Sequence, residues 1–85
     1  MFFVYLLKSH FDGSFYVGYT TDLARRLEEH NEGLSRYTSR KISWEMVHTE
    51  AFETKAEALK REIFLKKQRN RTFYQSLADT GGSVA

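Results

Sequence analysis

Five side chains in this sequence stand where they could do chemistry: Tyr5, Tyr16, Arg26, His30 and Glu62. At about 100° per residue on a helix, Arg26 and His30 lie about 40° apart, and His30 falls within about 20° of Leu23. They share a face at the margin of a core, while Arg25, Glu28 and Glu29 point toward solvent. The planar fork of an arginine matches two phosphate oxygens. A neighbouring histidine donates to another oxygen or moves a proton near neutral pH. The plainer reading is a boundary arginine with a histidine favoured by the negative end of the helix dipole.

Glu62 is the sharper oddity. Ala58, Leu59, Ile63 and Leu65 fall in one sector of a second helix, and Glu62 lies inside that sector. A carboxylate there needs a partner, because burying it unpaired is costly. Lys66, four residues on, is the simplest one. A lone oxygen ligand completed by water and a substrate phosphate also suits Mg²⁺ or a similar hard ion. Tyr5 and Tyr16 occupy two short aromatic and β-branched runs, where tyrosines commonly pack a core. Gly18 is unusual beside them, since glycine weakens a strand and marks a bulge or a close backbone approach.

The elements that must hold these residues can be read from pattern. Phe2 to Leu7 and Phe15 to Tyr19 form a hairpin around the Asp12-Gly13 turn signal. Thr21 or Asp22 caps a helix ending near Asn31 to Gly33, followed by a polar loop from Glu32 to Lys41. Ile42 to Phe52 is a third strand with imperfect alternation. Thr54 caps a helix reaching Gln68, and Asn70 caps a short one over Thr72 to Leu77, with Phe73 and Leu77 folding back on the core. The expected fold is α+β, a three-stranded mostly antiparallel sheet flanked by helices in the order ββαβαα, with one domain over 1–78 and a flexible tail over 79–85.

Composition limits the function classes. Eighty-five residues hold one core and exclude a cofactor domain set beside a substrate domain. With no cysteine, disulfides, thiolate metal sites and cysteine nucleophiles are excluded, in keeping with the cytoplasm. The apolar run from Met1 to Leu7 is too short to span a membrane, and no membrane partner is expected. Dinucleotide, P-loop and zincin motifs are absent. A net charge of +2 names no partner, but seven basic residues stand against two acidic ones between Lys55 and Arg71. That excess reads either as a solvated helix face or as a phosphate-backbone track.

Taken together these residues resemble the GIY-YIG nuclease superfamily. Phe3-Val4-Tyr5 stands where the family has Gly-Ile-Tyr, and Tyr16-Val17-Gly18 matches its Tyr-Ile-Gly. Arg26 and His30 follow in the register of the family's catalytic arginine and the His or Tyr after it, and Glu62 looks like its metal-binding glutamate. The likeness covers about residues 2–68. It is narrowest toward small single-domain bacterial members, through His30-Asn31-Glu32-Gly33 and Tyr37-Thr38; relatives include the UvrC N-terminal domain and Slx-type nucleases. The asparagine that many members carry near the C-terminal side of the site has no counterpart, since Asn70 lies too close to Glu62.

The resemblance implies an endonuclease, a hydrolase of phosphodiester bonds that acts on DNA ahead of RNA and selects structure rather than sequence. It implies a single Mg²⁺ or Mn²⁺ held by Glu62, with Tyr5, Tyr16, Arg26 and His30 catalytic. Lys55, Lys60, Arg61, Lys66, Lys67 and Arg69 would bind the nucleic acid. DNA repair is the implied setting and a protein partner is allowed for. The alternative is a non-catalytic or partner-dependent nucleic-acid-binding module of the same fold.

Overall fold

The computed structural model describes residues 1–33 and 43–80. Six elements follow in the expected order: β1 (Phe2–Ser9), β2 (Phe15–Thr20), α1 (Leu23–Asn31), β3 (Trp44–Phe52), α2 (Lys55–Gln68) and α3 (Arg71–Asp79). The polar loop with Tyr37 and Thr38, and Ile42 at the proposed strand start, lie outside the described residues, as do 81–85. Asp79, expected to open a tail, instead closes α3.

All three helices begin where a short polar side chain can accept an orphan backbone N–H. Asp22 accepts from Arg25 N at 3.1 Å, Thr54 from Glu57 N at 3.2 Å and Asn70 from Phe73 N at 3.1 Å. Asp22, not Thr21, is therefore the first cap. At the other end of α1, Asn31 bonds both the N–H and the C=O of Trp44, at 2.6 and 3.1 Å, which ties the helix to the start of β3.

The sheet is antiparallel throughout, in the order β2-β1-β3. β1 is central, so both its edges are paired, and different helices cover its two faces. Val4, Leu6 and Val17 pack with Ala58 and Leu65 of α2, whereas Tyr5, Leu7 and Trp44 pack with Leu23 and Leu27 of α1. Period-two alternation thus sends neighbouring residues of one strand into two different cores.

The imperfect alternation of β3 has a specific cause. Leu7 pairs with Met46 but Leu6 pairs with His48, so Val47 is an extra residue on β3. One extra residue reverses which side of the sheet the following side chains face. Trp44 and Met46 pack on the α1 side, while His48 and Glu50 stand opposite Leu6 and Val4 on the α2 side.

Candidate active site

Tyr5 is the hub. Its side chain is buried, and its Oη lies 3.2 Å from Arg26 Nε and 3.0 Å from His30 Nε2. A guanidinium can only donate, so the phenol oxygen accepts from Arg26. The phenol's own proton then has one acceptor among the bonds it makes, the Nε2 lone pair of His30, which places the imidazole proton on Nδ1. Burial pushes the Tyr5 phenol up to about 12, against the pull of Arg26, so it stays protonated. Burial, with the Arg26 charge, lowers His30 to about 4. The histidine is fully enclosed and neutral near pH 7, so it is a fixed hydrogen-bond partner there and not the neutral-pH proton carrier that its type suggested.

Tyr16 completes the cluster by ring contact. Its ring centroid lies 5.0 Å from that of His30 and 6.4 Å from those of Tyr5 and Trp44. The two tyrosines are not directly opposed, since Tyr5 pairs with Gly18 and Leu7 with Tyr16. Gly18 explains that offset: a Cβ there would collide with the Tyr5 hydroxyl and Cζ and come within 2.9 Å of Cε2. Glycine is needed at this point for space, and the strand gives up a side chain so that the phenol can lie across it.

Arg26 is half-buried and holds two partners, donating from Nη1 to Glu29 at 2.8 Å as well as from Nε to Tyr5. Glu29, expected to face solvent, instead bridges Arg26 and Arg25, with the Arg25 Nε at 3.2 Å. The Arg26 hydrogen bond holds the Glu29 carboxyl below its usual range. An open cleft of about 340 Å³ runs past this pair, lined also by Tyr19, Thr20, Thr21 and Asp22.

Glu62 lies on the buried stripe of α2, with Ala58 four residues before it and Leu65 three after. Ile63, placed in that stripe by its helical angle, is 53% exposed, so the buried face is narrower than the sequence suggests. The Glu62 side chain is 15% exposed and its Oε2 lies 3.2 Å from Lys66 Nζ. Its charge is felt at the Tyr5 phenol, which it pushes upward. Hydrogen bonds therefore join Tyr5, Arg26 and His30 and ring contacts add Tyr16, whereas the close contact of Glu62 is with Lys66.

These groups fit one kind of metal. No group of three His, Cys, Asp or Glu side chains converges among the described residues, so a metal held there takes fewer than three ligands of these types from them. A hard divalent ion that takes its other oxygens from water and phosphate suits that donor set; a closed cage of the zinc type does not.

The profile of the GIY-YIG catalytic domain matches residues 1–75, nearly the whole chain. The chain belongs to the GIY-YIG family. A UPF0213 protein of Listeria welshimeri is 47% identical over 66 residues, covering 76% of this chain and 72% of its own. One from Halobacterium salinarum is 43% identical over 68 residues, covering 79% and 87%. The solution NMR structure of a UPF0213 protein from Bacillus halodurans superposes with a TM-score of 0.59 at 38% identity, covering 96% of this chain and 88% of that one. No helix among the described residues of this GIY-YIG domain is long and apolar enough to cross a membrane.

The basic residues of this GIY-YIG chain divide once partners are known. Arg61 grips Glu50 with two hydrogen bonds, Nε to Oε1 at 2.8 Å and Nη2 to Oε2 at 3.0 Å, and stacks on Phe64 with 5.2 Å to the ring centroid. Its guanidinium is committed to the fold, so it is removed from the proposed phosphate track. Lys66 is shared with Glu62. Lys55, Lys60, Lys67 and Arg69 are exposed, and Lys67 and Arg69 line a surface groove with Ile63 and Lys66.

Sequence reasoning missed the partner of Arg61. Buried His48 donates from Nε2 to Glu50 Oε2 at 2.8 Å, so Glu50 joins β3 to α2. Burial alone would raise the Glu50 carboxyl, but Arg61 and His48 hold it below its usual range. The buried Nδ1 of His48 has no hydrogen-bond partner among the described residues. A His and a Glu two apart on a strand was the available signal, obscured because the bulge moves both to the other face.

Proposed function

We propose that this chain is a metal-dependent endonuclease that hydrolyses phosphodiester bonds in DNA ahead of RNA, by structure rather than sequence. The observation that carries this reading is the buried Tyr5-Arg26-His30 cluster, which places a guanidinium of fixed orientation beside an open cleft. Arg26 neutralises charge developing on the phosphoryl oxygens; Tyr5 and Glu29 hold its fork so that little reorganisation is needed. Tyr5 keeps its proton and orients the guanidinium. His30 receives that proton as a hydrogen bond and, being enclosed, does not meet water. Tyr16, half-buried at the edge of the cluster, is left to orient the attacking water.

Glu62 is the residue to hold one Mg²⁺ or Mn²⁺, exchanging its contact with Lys66 for the ion. When bound, the ion supplies Lewis-acid stabilisation of charge on the phosphate and leaving group. Lys55, Lys60, Lys66, Lys67 and Arg69 then face the phosphate backbone. The likeness to the UvrC N-terminal domain extends the reading to DNA repair in the cytoplasm. A non-catalytic or partner-dependent binding module is the second reading. It is favoured by the Glu62-Lys66 pair and the missing asparagine counterpart.

The test is incubation with branched, single-stranded and plasmid DNA and either ion, alongside Arg26→Ala and Glu62→Gln. Divalent-dependent cleavage that falls at least about 100-fold in both variants supports the enzyme. Equal cleavage by Glu62→Gln and wild type would sink it. Salt-sensitive binding with no cleavage establishes the module instead.

A further inference from the structure

The turn between α2 and α3 carries an observation the cleavage chemistry does not use. Arg69, at the C-terminal cap of α2, has φ 43° and ψ 39°, the left-handed conformation. It is the one non-glycine residue with positive φ among the described residues. Glycine is the usual occupant of that position because a Cβ is strained there. A long cationic side chain stands where glycine would fold more easily, and strain of this kind points toward a function.

The surroundings indicate which function. Arg69 lines two clefts: the groove with Ile63, Lys66 and Lys67 on one side, and a smaller one of about 190 Å³ on the other. The smaller cleft is walled by Ser14, Phe15, Arg71 and Tyr74, with the Phe15 and Tyr74 rings 5.6 Å apart. The Arg71 guanidinium lies against the hairpin turn, where a Cβ on Gly13 would come within 2.6 Å of it. Neither arginine makes an ion pair among the described residues, unlike Arg25, Arg26 and Arg61. Tyr74 is fixed by donating to Leu65 O at 2.7 Å, and its hydroxyl accepts from Arg69 N at 3.3 Å. The wall beneath the two guanidiniums is therefore rigid.

We propose that this corner, Arg69 and Arg71 over Phe15 and Tyr74, is a strand-binding subsite that takes the phosphodiester backbone of a single nucleic-acid strand. The proposal rests on the nucleic-acid reading above and deepens it. Two guanidiniums with no ion pair among the described residues match backbone phosphates, and an aromatic wall offers a face to an unstacked base. The two clefts meeting at Arg69 give the strand a path from the Glu62-Lys66 end of α2 round to the hairpin turn. A base held in its duplex stack presents no open face to the Phe15-Tyr74 wall, so a strand separated from its complement is the form that uses both the guanidiniums and the rings.

The test measures binding of a fluorescent single-stranded oligodeoxynucleotide without divalent metal, across a salt series, for wild type, Arg69→Gly and Arg71→Gln. Arg25→Gln removes the same charge from the wall of the Arg26 cleft on α1, a stricter baseline than a charge remote from any proposed contact. Each corner variant is expected to bind about fivefold or more weaker than that baseline, with the salt slope reduced by about 0.7. Arg69→Gly should melt no lower than wild type, because glycine relieves the strained backbone. Corner variants within about twofold of Arg25→Gln would overturn the proposal, as would a wild-type chain that binds no oligonucleotide. Cleavage surviving in Glu62→Gln would overturn the catalytic reading alone, leaving the corner to its binding data.

Discussion

Val4 and Leu6 leave β1 on one side of the sheet while Tyr5 and Leu7 leave on the other, and the two sides do different work. The α2 side is aliphatic, with Val4, Leu6, Val17, Ala58 and Leu65 all buried and no polar atom of their side chains to satisfy. The α1 side buries Tyr5, Trp44 and His30 and must satisfy each polar tip. For His30 and Tyr5 it does so by a chain of bonds from His30 through Tyr5 to Arg26 and Glu29. The difference teaches that one face supplies most of the cohesion, while the other fixes protonation states and the direction of a guanidinium. Polar groups on the cohesive face come in pairs: the bulge delivers His48 and Glu50 to Arg61, and Glu62 on α2 meets Lys66.

Truncation should separate the faces most clearly. Leu65→Ala, on the aliphatic side, is expected to cost about 3 kcal/mol in urea unfolding and leave the His30 titration seen by NMR unchanged. A shifted His30 would show that the faces are coupled. Gly18→Ala attacks the other side by forcing a methyl into the Tyr5 ring, at a cost of about 2 kcal/mol. Tyr5 and His30 resonances should move with it; a variant as stable as wild type would mean that the strand yields easily.

Acid should act through the α1 side first. His30 titrates at about 4 when folded, against about 6.5 unfolded, so between those values the unfolded chain binds the extra proton. Stability from this group is complete above about pH 6.5 and is lost as pH falls toward 4, by on the order of 2 kcal/mol. His30→Gln should flatten that slope in denaturation curves taken between pH 7 and 4. Tyr5→Phe leaves Arg26 and His30 each short of a partner and should cost about 1.5 kcal/mol, with cleavage falling further than stability explains. The smallest effect belongs to Thr54→Ala, a cap loss of about 1 kcal/mol that should leave cleavage by the folded protein unaltered.

The legible parts of the fold were the local ones. Asp22, Thr54 and Asn70 announce their helices because each bonds a backbone N–H three residues ahead. Gly18 announced a close approach because few other reasons put glycine in a strand. The bulge at Val47 showed only as broken alternation, and its consequence, the Glu50-Arg61 clamp, needs three elements in register at once. Ile63 was misplaced because helical angle gives a direction but not how far the neighbouring layer extends. Glu29 was misplaced because its partners depend on the side-chain rotamers of two arginines, not on the helical wheel.

By itself, then, the sequence determined the elements, their caps, their order and the residue types available for chemistry, since these depend on contacts within a few positions along the chain. Tertiary structure alone decided what those residues are. Tyr5 meets Arg26 across 21 positions and His30 across 25, and only that meeting removes the phenol and imidazole from water. Burial then sets their protonation, because desolvation penalises the charged form of each, and no reading of residue type could have turned a neutral-pH histidine into one that stays neutral down to about 4.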